Sequence, residues 1–201
     1  MSKLGVNRRI RKRWQREGVI VHPYAGPDEG YTLGRALKES GGDPTQLYEL
    51  DIVRGRADDM MADDAKYAAL LRMAMDGWID GVVGGPNCRT ASDINLSGLQ
   101  WQKVFEDDVM LLRMIVLYVV AQMGRDVTLR NNTTKALKPH VAFLIEQPAI
   151  SERYPECASF WKLECWQTMK FFYHFKEYTP SCRATLGALR GNQQLWEPTW
   201  N

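Results

Sequence analysis

The chain has 201 residues, 45% of them hydrophobic and 25% charged, a balance that fills one core and excludes an intrinsically disordered chain. Its net charge of +2 excludes a polycation, yet residues 1–17 alone carry +6, which leaves −4 for the remainder. Four cysteines without a Cys-x-x-Cys pair and three scattered histidines exclude a disulfide framework and a zinc cluster, and imply reduced thiols inside a cell. Residues 1–17 read as a flexible basic arm, and the apolar Val19-Ile20-Val21 that follows is cut short by His22 and Pro23, too soon for a signal peptide.

The residues from 18 to 24, Gly-Val-Ile-Val-His-Pro-Tyr, predict a short strand, and a glycine turn over 25–30 leads into a helix over 31–40 that stops at Gly41-Gly42. A second strand is predicted over 47–53, then an acidic loop and a helix with apolar spacing through Tyr67, Leu70, Leu71, Met73 and Met75. The third strand, over 79–83, ends in Gly84-Gly85-Pro86-Asn87-Cys88. A long helix follows over 107–125, opened by the acidic pair Asp107-Asp108, which suits the positive end of a helix dipole. Its apolar run over 109–123 carries Arg113 and is shorter than the roughly 20 residues of a bilayer span, so it reads as a buried helix and no membrane association is expected. The fourth strand, over 141–145, closes in Glu146-Gln147-Pro148, where proline ends regular pairing. Beyond it the aromatic-rich residues 149–201 predict a helix over 157–174 and a terminal hairpin or irregular strand, packed against the same domain.

Strands alternating with helices over 18–148 predict an α/β fold, a doubly wound and mostly parallel sheet whose ligands gather at the carboxyl ends of the strands. The residues of chemical interest lie at such ends. Gly26 and Gly30 let backbone approach a nucleoside ligand, and an acid at the end of the next strand, Glu49 or Asp51, suits ribose hydroxyls. Cys88 follows a buried strand beside Arg89, a cation that raises the thiolate fraction, and Glu146 stands at the matching end of the next strand, suited to donating a proton. Taken singly, each has a structural alternative: a plain glycine turn, solvated strand-end carboxylates, a small core thiol and a loop-capping acid.

The ordered combination of YAGPDEGYTLGRAL, ELDI, GGPNCRTAS and FLIEQP, each at the end of a predicted strand, resembles the motifs of the DNA cytosine carbon-5 methyltransferases over residues 19–148. In that family the motifs are a phenylalanine-alanine-glycine loop for S-adenosylmethionine, a ribose-binding acid, a glycine-proline-proline-cysteine turn with a nearby serine, and a glutamate-asparagine-valine strand end. The resemblance implies a Rossmann-like methyltransferase fold that binds S-adenosylmethionine through Tyr24, Ala25, Gly26, Gly30, Glu49 and Asp51, with Pro86 shaping the turn. It further implies that Cys88 adds to carbon 6 of an extruded cytosine while Glu146 protonates ring nitrogen 3. Arg89 and Ser92 fall on the nucleic-acid side.

The chain departs from the family in Asn87 for the second proline, in Gln147-Pro148 for asparagine-valine and in the Pro27-Asp28-Glu29 insertion. The 53 residues after Pro148 are too few for the region that reads DNA sequence in that family before its chain returns to complete the sheet. This shortening also resembles methyltransferase-like segments of retroelement polyproteins. The alternative implied is a non-catalytic nucleic-acid-associated module of a mobile element. Within the arm, Arg8, Arg9, Arg11, Lys12 and Arg13 suit phosphate contacts to DNA or RNA, or a nuclear localisation signal, and Trp14 suits stacking on an unpaired base; a solvated tail without a partner is the structural alternative.

Overall fold

The computed structural model describes residues 4–26, 32–51, 64–85, 101–131, 138–148, 164–173, 175–178 and 193–198. It divides into two units, Met1–Gly84 with Leu112–Ala142 and Gly85–Leu111 with Phe143–Asn201. The described residues of the basic segment belong to the first unit.

The first unit is α/β. The β-branched run of β1 (Val19–Pro23) pairs in parallel with β2 (Leu47–Leu50) on one side and β3 (Ile79–Gly84) on the other. Alternation buries Val19 and Val21 of β1 and Tyr48 and Leu50 of β2, with His22 and Glu49 half-buried between them, while β3 buries Ile79 and Val82 on opposite faces. The chain passes from β1 to β2, then back across β1 to β3, so the connections diverge at the carboxyl end of β1. That divergence is a topological switch point, as occurs in open parallel α/β sheets. Ala142, the first residue of the fourth strand, comes to Gly81 of β3, where a Cβ on Gly81 would lie 3.4 Å from its own.

The basic segment is not a flexible arm. Residues Arg8–Glu17 form helix α1, whose amino end is capped by the Asn7 side chain accepting from the Ile10 N–H at 2.9 Å. Trp14 is 2% exposed, its indole N–H donates to the Thr45 carbonyl at 2.7 Å, and its ring lies 5.1 Å from that of Tyr48. The Tyr48 hydroxyl donates in turn to the Leu4 carbonyl. One buried aromatic therefore orders a stretch that reads as a tail from its charge alone.

Helix α2 (Leu33–Glu39) begins at its Thr32 cap, α3 (Asp64–Met75) buries Lys66, Leu70, Met73 and Ala74, and Met75 is exposed rather than part of the expected apolar stripe. Helix α4 (Trp101–Asn131) is longer at both ends than the apolar run suggested, and neither end contains proline to stop it sooner. It buries Met114, Leu117, Tyr118 and Ala121 but exposes Leu112, Val116, Met123 and Val127, so it is two-faced rather than wholly buried. Among the described residues no helix is long and apolar enough to cross a membrane.

Where α4 meets α3, a side chain on Gly124 would lie 2.1 Å from the Ala74 carbonyl oxygen, so only glycine permits this backbone contact. The next residue, Arg125, is fully buried, and its guanidinium donates to the carbonyls of Ile79 and Lys138 and to the Asp80 carboxylate. Gln122 donates to the Pro139 carbonyl and accepts from the Val141 N–H.

In the second unit, β4 (Ala142–Pro148) pairs antiparallel with β6 (Gln193–Pro198), and β6 pairs antiparallel with β5 (Phe175–Tyr178). The strand expected to end near 145 continues through Pro148 because β6 pairs with it as far as Gln193. Helix α5 (Glu164–Tyr173) lies within the predicted helix, and its Trp166, fully buried, packs 6.4 Å from the Phe143 ring.

Replacing Arg125 by Leu leaves two carbonyls and a carboxylate without their shared donor, and is expected to cost about 3–5 kcal/mol in a denaturant melt. Met123→Ala, on the exposed face, is expected to cost less than about 0.5 kcal/mol. Equal losses would show that Arg125 does not hold the sheet and α4 together.

Candidate functional site

Beyond β1 the backbone turns sharply. Tyr24 has φ 61°, unusual for a bulky residue, and Gly26 has φ 72° with no atom within 4 Å of the place a Cβ would take. The Ala25 N–H donates to the Leu50 carbonyl at 3.1 Å, and the Gly26 N–H to the Asp51 carboxylate at 2.7 Å. These two bonds clip the turn across the end of β2. Glycine at 26 follows from its left-handed backbone, and the open space beside it faces no other group among the described residues.

The two acids considered for a ribose take different positions. Asp51 stands just past β2 and holds the Gly26 turn. Glu49 lies within β2, in register with His22 of β1, with His22 Nδ1 3.4 Å from its Oε1 and their side chains 15% and 18% exposed. A Cβ on Gly34, near the start of α2, would lie 3.7 Å from Glu49 Oε2, so the helix approaches this carboxylate closely. His22 is the residue that sequence reasoning missed. Its pairing with Glu49 depends on the parallel register of strands separated by more than twenty residues, for which the sequence carries no local signal.

Glu146, half-buried on β4 opposite Leu195 of β6, lies against Gly85: a Cβ there would come 3.5 Å from the Glu146 Cβ and 3.6 Å from its Oε2. Gly30, Pro86, Cys88, Arg89 and Ser92 lie outside the described residues. Tyr24, Ala25, Gly26, Glu49 and Asp51 are thus brought together in the first unit, and Glu146 stands beside Gly85 in the second.

The basic residues of α1 divide. Arg13 donates to Glu17 at 2.6 Å and to the Thr45 hydroxyl at 2.8 Å, and also pairs with Asp43, so it serves the fold rather than standing ready for a phosphate. Trp14, buried, is not available to stack on a base. Arg8, Arg9 and Lys12 are exposed and Arg11 is half-buried. Hydrogen bonds from Arg16 and then Arg13 hold the Glu17 carboxyl below its usual range, and the Thr45 backbone and hydroxyl do the same for Asp43.

Because both folded-state values are depressed, the stability these carboxylates contribute is present above the unfolded carboxylate range near about pH 4, and is lost as pH falls through the folded values. The melting-temperature advantage of the natural chain over Asp43→Asn is therefore expected to hold from neutral pH down to about pH 5 and to shrink as pH falls below about 4. An advantage that stays constant with pH would contradict this role for Asp43. Comparison with protein-family models, with curated proteins and with solved structures returns no match for this chain.

Proposed function

We propose that the chain is an S-adenosylmethionine-dependent methyltransferase-like protein acting on cytosine in nucleic acid. The observation that carries the reading is the clipped turn at the carboxyl end of β1, where Gly26 is held by Asp51, two residues along the chain from the partly buried carboxylate of Glu49. Open α/β sheets take ligands at such switch points, and a carboxylate on the neighbouring strand suits ribose hydroxyls. The open space at Gly26 fits the backbone approach of a nucleoside.

In this reading Tyr24, Ala25, Gly26 and Gly30 hold the nucleoside end of the cofactor, Glu49 accepts from its ribose, and Asp51 acts through the Gly26 turn. When bound, S-adenosylmethionine supplies an electrophilic methyl group. The Cys88 thiolate adds to carbon 6 of the cytosine, favoured by the neighbouring Arg89, and Glu146 delivers a proton to nitrogen 3, which makes carbon 5 nucleophilic. Loss of the carbon 5 proton after methylation lets the thiolate leave. Pro86 and Gly85 shape the turn that carries Cys88, and the contact of Gly85 with Glu146 keeps the acid beside that segment's start. The order of the four motifs, and the return of β5 and β6 to extend β4 after a short insert, support this reading.

A second reading, a non-catalytic nucleic-acid-associated module of a mobile element, is favoured by Asn87 and Gln147-Pro148 at the two motif ends.

Transfer of a labelled methyl group to cytosine-containing oligonucleotides separates the two. The methyltransferase reading expects transfer by the natural chain and none by Cys88→Ser, with stability changed by less than about 1 kcal/mol. Glu146→Gln is expected to slow transfer by about a hundredfold or more. Transfer that persists in Cys88→Ser would remove the nucleophile, and a natural chain that binds cofactor without transferring its methyl group would establish the second reading.

A further inference from the structure

We propose that the outward side of α1 is a rigid ridge that binds the phosphate backbone of nucleic acid. At about 100° per residue, Arg8, Arg9, Lys12, Gln15 and Arg16 fall within an arc of about 120°, and all five are exposed. Arg8, Lys12 and Arg16 follow one another at intervals of about 6 Å along the axis. The opposite side of the helix carries buried Trp14 and half-buried Ile10 and Glu17.

The cations differ in what already engages them. Arg13 is committed to Glu17, Asp43 and Thr45, and Arg16 pairs with Glu17 at 2.5 Å. Among the described residues, Arg8, Arg9 and Lys12 make no ion pair. Helix stability does not explain them: the first turn contains no acidic residue, and cations there oppose the helix dipole. The ridge is therefore a set of like charges gathered on one face at a cost to the helix, and anions placed against it would relieve their repulsion.

The surroundings decide which anions. A helix that lies stably in a lipid surface inserts an apolar face in addition to the attraction of its cations, and that side of α1 is already occupied by Trp14 packing on Tyr48. A nucleic-acid strand needs no apolar contact and presents closely spaced phosphates, one per about 3.4 Å of duplex axis on each strand. Because α1 is docked through Trp14 and Arg13, its cations meet those phosphates without the backbone ordering that a flexible tail undergoes. The ridge rests on α1 alone, so it stands or falls separately from the cofactor reading.

Fluorescence anisotropy of a labelled duplex oligonucleotide, titrated with the full chain over a range of sodium chloride, tests it. The natural chain is expected to bind with an affinity that falls linearly in logarithmic salt. The triple variant Arg8→Gln, Arg9→Gln, Lys12→Gln is expected to reduce that slope by about 3, and Lys12→Gln alone by about 1, with circular-dichroism melts no lower than those of the natural chain. Lys38→Gln with Arg130→Gln, which removes exposed cations elsewhere in the first unit, is expected to leave the slope unchanged. An unaltered slope in the triple variant would overturn the proposal. So would absence of duplex binding at low salt, or binding to phosphatidylserine vesicles without binding to the oligonucleotide.

Discussion

The buried guanidinium of Arg125 is the constraint from which the first unit is built. A cation this far from water is tolerable only where it is paired and hydrogen-bonded, and the Ile79 carbonyl, the Lys138 carbonyl and the Asp80 carboxylate accept from its two terminal nitrogens, while Nε has no partner among the described residues. Those partners lie at the start of β3 and on the segment that leads to β4, so one side chain on α4 sets where two neighbouring stretches of chain begin. Gly124, adjacent in sequence, permits the contact with the end of α3 that seats Arg125. Gln122, one turn earlier, repeats the arrangement with the Pro139 carbonyl and the Val141 N–H.

With the amino end of β3 fixed in this way, the central position of β1 sets the geometry of the sheet's carboxyl end. A side chain on Gly84 would lie 2.5 Å from the Pro23 carbonyl oxygen, so β1 and β3 finish in close contact. The connections then part. One enters the Tyr24–Gly26 turn, clipped to β2 by Leu50 and Asp51, and the other continues from Gly84 into Gly85. The left-handed backbone at Tyr24, unusual for a bulky residue, is held by those clips, whereas glycine at 26 adopts it without strain.

The alternating elements of the α/β fold were legible in the sequence because β-branched runs, glycine stops and helical spacing are local signals. Val19 to Pro23 and Ile79 to Gly84 form strands for the reasons their composition suggests. Element ends were less legible. The extension of β4 through Pro148 depends on β6, a partner about fifty residues away, and α4 runs on through polar residues where the apolar run gives no guide. The largest divergence is α1. Its charge suggests a tail, but Asn7 supplies a cap and Trp14 an anchor, and the anchor's acceptor, the Thr45 carbonyl, is thirty-one residues distant. At the candidate site, the glycine turn and the two acids were legible as residue types, whereas the clip from Asp51 to Gly26 and the register of His22 with Glu49 are tertiary facts.

The central claim is that the carboxyl end of β1 and β2 binds a nucleoside cofactor, and calorimetric titration of the chain with S-adenosylmethionine tests it most directly. Saturable one-to-one binding is expected, weakened by about tenfold or more in Glu49→Gln through loss of a charged hydrogen-bond acceptor. The absence of binding at millimolar cofactor, or binding unaffected by Glu49→Gln and by Gly26→Ala alike, would contradict it.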